Sequence, residues 1–210
     1  MNEILVKKSC DEFTQELYSK APVPGGGGAA ALAGALSASL CAMAGNLTLG
    51  KKKYADVEPD IQAMLIKAEQ LRVRFLELVD EDAKAFEPLA KAYSMPKDTP
   101  DFDAIMMRAT LNACRAPFEM IECACEAIDL IDEMQGKCSR LLISDAGCGA
   151  ALARAALEAA AMNVFVNTKS LRGLREAEEI ELKANALLEK YVPLAESISL
   201  KILNELRGKP

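Results

Sequence analysis
Between Lys20 and Lys51 the chain carries no charged residue. A stretch of that length, APVPGGGGAAALAGALSASLCAMAGNLTLG, cannot be wholly solvated; it crosses a membrane or runs through a protein interior. Its makeup separates the two cases. Glycine, alanine, serine, asparagine and threonine fill much of it, while the rest of the chain is amphipathic and charged. A helix at the centre of a bundle is therefore predicted over residues 29 to 49, with no membrane span. At about 100° per residue, Leu32, Leu36, Leu40, Met43 and Leu47 fall on one side, and Ala30, Gly34, Ala38, Cys41 and Gly45 on the other. The large side is predicted to fill the bundle. The small side is predicted to admit another helix closely, from this chain or from a second subunit.

Composition supports the same class. The chain is 51% apolar but only 5% aromatic, with no tryptophan, so its bulk comes from residues that pack as helices rather than sheets. Nowhere do four to eight residues alternate as a half-buried strand would. The predicted fold is all-α, one domain over residues 1 to 210, built as a bundle of about six long helices.

Ser9 with Glu12 makes a capping-box pattern and starts a helix to about residue 20. Pro22 and Pro24 break the chain, and a run of four glycines reads as a flexible loop before the uncharged helix. Glu58 and Pro59 open a third helix to about residue 92. SMPKDTP reads as a loop, with Thr99 and Pro100 opening the next helix, which Pro117 kinks or divides. Apolar spacing resumes to about residue 134, residues 135 to 140 connect, and Ser144 or Asp145 caps a second small-residue helix to about residue 168. That helix, AALARAALEAAAMNVFVNT, shares its spacing of small residues with the first, a shared packing demand rather than a duplication. Ile180, Leu187, Tyr191, Leu194, Ile198 and Ile202 stay in register across Pro193, which predicts one kinked final helix.

Several chemistries are disfavoured. The net charge of −6 lacks the concentrated basic field that nucleic acid requires. Seven scattered cysteines, no CxxC and no histidine make a zinc site improbable, so no metal is expected. The opening residues lack a secretory pattern, which predicts reduced thiols in a cytoplasmic protein. Without histidine, proton transfer falls to Asp, Glu, Lys, Tyr, Cys or water.

Four features could bind or react. Glycines before a helix let a ligand approach backbone, and the unpaired N–H groups of the first turn attract anions. A plain flexible loop is the alternative. Lys51, Lys52 and Lys53 complement the helix's negative end or hold a carboxylated ligand tail. Asn163 and Asn167, one turn apart, bond either to neighbouring helices or to a ligand. In LRVRFLELVDEDAKAFEPLAKAY, Asp82 falls about 20° from Leu71, inside the apolar stripe of Phe75, Leu78, Val79, Phe86, Leu89 and Tyr93. Glu77, Asp80, Lys84, Glu87 and Lys91 lie opposite. An inward carboxylate is paired, hydrogen-bonded or protonated. It serves as a structural salt bridge or as an acid–base group tuned by burial.

The ordered set PVPGGGGAAALAGALSASLCAMAGNLTLGKKKY, VDEDAKAF, PKDTP and SDAGCGAALARAALEAAAMNVFVNTKSL resembles the cyclodeaminase/cyclohydrolase family of folate enzymes, over about residues 5 to 205. Gly28 departs from it, standing where many relatives have serine or threonine. The resemblance implies a helical, dimer-forming fold that binds tetrahydrofolate derivatives near a subunit contact and uses no metal or other cofactor. It implies hydrolysis of 5,10-methenyltetrahydrofolate to 10-formyltetrahydrofolate, or closure of 5-formiminotetrahydrofolate to the methenyl form with loss of ammonia. Hydrolysis is preferred because the chain lacks the fused transferase. On this basis Asp82 moves the proton, and Asp145, Asn46 and Asn163 or Asn167 orient the pterin or water. Pro24, Gly25, Gly26, Gly27 and Gly28 accept the ligand against backbone, and Lys51, Lys52 and Lys53 hold its glutamate tail. Asp145 is equally readable as a helix cap. The rival expectation is a noncatalytic helical module whose small-residue faces serve only oligomerisation.

Overall fold
The computed structural model describes residues 4–208 and is helical throughout, with no strand among them. The helices are α1 (Cys10–Tyr18), α2 (Gly26–Asn46), α3 (Glu58–Tyr93), α4 (Phe102–Lys137), α5 (Ile143–Thr168) and α6 (Arg175–Leu206). Short 3-10 turns lie between α2 and α3 (Lys52–Val57), between α4 and α5 (Arg140–Leu142) and between α5 and α6 (Lys169–Leu171). The capping box at Ser9 is present, its hydroxyl accepting from the Glu12 N–H while the Glu12 carboxylate accepts from the Ser9 N–H. Pro117 and Pro193 lie inside continuous helices, and Gln135 to Lys137 extend α4 beyond the expected connection.

α2 packs on α3 and α5, α4 packs on the same two from the other side, and α6 lies against α5 and α4. Side chains from α1 to α6 share one buried cluster, and a smaller one gathers Leu89, Ala109 and Ala113. α2 and α5 run antiparallel: Asn163 meets Gly26, while Gly149 meets the Ser37 carbonyl. At the other end, Thr48 Oγ1 accepts from the Ser139 N–H at 2.8 Å and donates to the Ala44 carbonyl at 2.7 Å. Both helices are long and apolar enough to cross a membrane by length and composition. In the bundle they bury 56% and 44% of the residues in those apolar windows.

The expected orientation of α2 is reversed. Ala30, Gly34, Ala38, Cys41 and Gly45 face the interior, whereas Leu36, Met43 and Leu47 are 51%, 47% and 48% exposed. Leu32 and Leu40 are half-buried. The reason is thickness: α2 is wedged between α3 and α5, and only its small side lets both approach. A Cβ on Gly34 would stand 2.6 Å from Phe75 Cδ1. That vacancy seats a fully buried ring, worth about 1.5–3 kcal/mol.

The start of α2 differs as well. Gly26, Gly27 and Gly28 form its first turn and Gly25 its N-cap, so the glycines belong to the helix and not to a loop ahead of it. Leu142, not Ser144 or Asp145, is the N-cap of α5, and no side chain caps it. Asp101, in the left-handed region at φ 61°, precedes α4, one residue past the predicted Thr99–Pro100 opening.

Candidate active site
Asp82 projects from α3 toward the first turn of α2. A Cβ on Gly27 would lie 2.6 Å from the Asp82 carboxyl carbon, so only glycine lets the carboxylate rest against the helix backbone there. Among the described residues Asp82 forms no ion pair and no hydrogen bond. Burial without a partner pushes its pKa from 3.8 up to about 6.

The carboxylate borders a cavity of about 200 Å³, lined by Pro22, Val23 and Gly25 to Gly27 ahead of and within α2, Asp82 and Phe86 from α3, Ala113 and Pro117 from α4, and Asn163, Val166 and Asn167 from α5. Pro117 explains part of this arrangement. A proline inside a helix has no N–H for the carbonyl four residues earlier, here Ala113. Asn167 Nδ2 donates to that carbonyl at 3.1 Å, which satisfies a buried acceptor and fixes the amide. Asn163 Nδ2 donates to the Ala159 carbonyl at 2.8 Å. Both amides therefore spend an N–H on backbone and keep Oδ1 to accept from a ligand. The first-turn N–H groups of α2 have no intrahelical acceptor and supply donors on the opposite wall.

A larger cavity, about 610 Å³, lies between α3 and α4. Its central cation, Arg74, is already held by Glu119, Glu81 and Glu77 at 2.6–3.0 Å. It carries none of the expected residues. Among the described residues no three His, Cys, Asp or Glu side chains converge as metal ligands.

Six of the expected residues meet here: Asp82, Gly25, Gly26, Gly27, Asn163 and Asn167. Pro24 and Gly28 do not line the cavity. A Cβ on Gly28 would meet Pro24 Cβ at 3.1 Å and Val79 at 3.7 Å, so a side chain at that position points into packing. Asn46, Lys51, Lys52 and Lys53 are at the far end of α2, about 30 Å from Gly26 at ~1.5 Å per residue. Asp145 is also remote, about 27 Å along α5 from Asn163, and lies near Cys138. These five are absent from the pocket because α2 and α5 are straight and antiparallel. Pro22, Val23, Phe86, Ala113, Pro117 and Val166 were missed as site residues; the α4 proline was the available signal, since an orphaned carbonyl needs a donor.

The model of the family described as formiminotransferase-cyclodeaminase matches residues 9–186. This chain is a member of the formiminotransferase-cyclodeaminase family. Within that family, the methenyltetrahydrofolate cyclohydrolase of Methylorubrum extorquens is 38% identical over 195 residues, 91% of this chain and 94% of that protein. The formimidoyltransferase-cyclodeaminase of Sus scrofa is 27% identical over 191 residues, covering 89% of this chain but 35% of the longer relative. The crystal structure of formiminotetrahydrofolate cyclodeaminase from Thermotoga maritima shares the fold at a TM-score of 0.83 and 24% identity, covering 95% of this chain and 99% of its own.

Proposed function
We propose that this member of the formiminotransferase-cyclodeaminase family is a folate one-carbon enzyme that hydrolyses 5,10-methenyltetrahydrofolate to 10-formyltetrahydrofolate, with Asp82 as proton carrier. The supporting observation is a carboxyl group raised to about 6 by burial, set against helix backbone in a small cavity and tied to no cation. A base with a pKa near the working pH is ionised often enough to accept a proton and acidic enough to return it.

In this scheme water adds to the bridge carbon between N5 and N10 as its proton passes to the Asp82 carboxylate. The bond from that carbon to N5 then breaks, Asp82 gives its proton to N5, and the hydroxyl proton leaves to solvent. The formyl group stays on N10. The Oδ1 atoms of Asn163 and Asn167 accept N–H groups of the pterin, and the free N–H groups of α2 hold the developing oxygen. At about 200 Å³ the cavity is smaller than the roughly 300–1,000 Å³ of pockets that enclose a whole ligand. It takes the ring head and leaves the remainder of a folate outside.

Closure of 5-formiminotetrahydrofolate with release of ammonia is the second reading, because it forms the same bridge and other family members carry that name. Either way the protein is taken to be cytoplasmic and homodimeric, without metal or other cofactor. A noncatalytic module leaves an unpaired, partly buried carboxylate without a purpose. The test is loss of the near-ultraviolet absorbance of methenyltetrahydrofolate against an enzyme-free blank, with ammonia release from formiminotetrahydrofolate measured in parallel. Activity in the first assay supports hydrolysis; inactivity in both removes the folate reading.

A further inference from the structure
Among the described residues the Asp82 carboxylate is the one charged group that lines its cavity, and no lysine or arginine balances it. The neighbouring groups carry the same sign. Phe86 follows Asp82 by one turn of α3, so the two side chains share a face. The Phe86 ring is half-buried, resting on Leu89, Ala109 and Ala113 while it borders the cavity, and an aromatic ring is partially negative over its faces. Asn163 and Asn167 each donate to backbone and keep Oδ1 as an acceptor. The first-turn N–H groups of α2 are the exception, and they stand on the wall where an added oxygen needs donors. A carboxylate, a ring and two amide oxygens around about 200 Å³ match a small planar group with delocalised positive charge.

We infer that the cavity selects its substrate by charge, with Phe86 as the specificity-determining side chain that holds an amidinium cation against its ring beside Asp82. Only the identity of the cation rests on the folate reading. In 5,10-methenyltetrahydrofolate the bridge from N5 through carbon to N10 is such a cation, and the protonated formimino group of 5-formiminotetrahydrofolate is another. The 10-formyl product and the 5,10-methylene form are neutral at that carbon. The site therefore draws in either substrate and releases the formyl product. The same charge times the proton transfer. While substrate is bound, the cation keeps the carboxylate ionised; as water adds and its proton passes to Asp82, the bridge carbon becomes tetrahedral and neutral. The carboxylate loses its counter-charge in the step that protonates it.

Two measurements test this. First, KM for 5,10-methenyltetrahydrofolate and the competitive inhibition constant of the neutral 5,10-methylene form are compared in wild type, in Phe86→Leu, and in protein carrying trifluorophenylalanine at position 86. The fluorinated ring keeps the aromatic shape and loses its negative faces. Wild type should favour the cationic form by about tenfold, and both changes should raise its KM about three- to thirtyfold while moving the methylene constant less than about twofold. Equal weakening of the two forms, or an unchanged KM with the fluorinated ring, overturns the proposal. Second, and independent of any activity, N,N′-dimethylformamidinium chloride is titrated into the protein at constant ionic strength while the amide signals of Gly25, Gly26 and Gly27 are followed by NMR. Saturable shifts that vanish in Asp82→Asn and weaken with the fluorinated ring support the cation site. No saturation, or equally tight binding of uncharged N-methylformamide, overturns it. Wild type that is inactive on both folates yet binds the amidinium through Asp82 and the ring would sink the folate reading alone and leave the charge selection standing.

Discussion

Replacing Asp82 by asparagine should make the protein more stable and less active, and the two effects can be read separately. Burial moves the Asp82 pKa from 3.8 to about 6, and each unit is worth about 1.36 kcal/mol. The ionised carboxylate therefore costs the folded state at most about 3 kcal/mol above pH 7, and roughly 2 kcal/mol after screening through the cavity mouth. Because the folded pKa is the higher one, the favourable neutral form is fully present below pH 4. That advantage is lost as pH rises through about 6. Asparagine stays neutral, so Asp82→Asn should unfold at higher urea than wild type at pH 8, by about 2 kcal/mol, and converge with it at pH 4, at matched protein concentration. Turnover should fall at least about a hundredfold, the usual scale of acid–base catalysis. A variant of unchanged stability at pH 8 would show that the carboxylate is solvated or paired. A more stable variant with normal turnover would separate its burial from catalysis and refute its role as proton carrier.

Three further outcomes follow from the same geometry. kcat/KM for the methenyl substrate should climb with pH through an inflection near 6, since Asp82 must be ionised to accept a proton; a flat profile between pH 5 and 7.5 would point to another base. Asn167→Ala orphans the Ala113 carbonyl and should cost about 1–3 kcal/mol in urea unfolding. In a Pro117→Ala background, which restores a helical donor to that carbonyl, the cost should shrink by half or more, and equal costs in both backgrounds would contradict the assignment. Gly34→Ala pushes a methyl into the Phe75 ring and should destabilise by about 1–3 kcal/mol, measured the same way.

Much of this architecture was legible from local chemistry. Ser9 with Glu12, Pro59 at the opening of α3 and the 3.6-residue spacing of α6 are signals carried within a turn or two of chain, and the structure follows them. Asp82 was legible for the same reason, because its place inside the apolar stripe of α3 depends only on periodicity. Pro117 was ambiguous: whether a helix survives a proline depends on what satisfies the freed carbonyl, and that donor comes from α5, fifty residues away.

What the sequence determined by itself was the helical class, the helix-forming segments and the inward carboxylate, because each is set by neighbours along one chain. Which side of α2 turned outward was decided by tertiary packing, since two flanking helices could close only on glycine and alanine, and this left leucine and methionine in solvent. Packing also decided which candidate residues meet. α2 and α5 are stiff rods lying antiparallel, so a motif continuous in sequence is split between ends about 30 Å apart. Gly27 reaches Asp82, while Lys51, Lys52, Lys53, Asn46 and Asp145 are carried to the opposite end of the bundle.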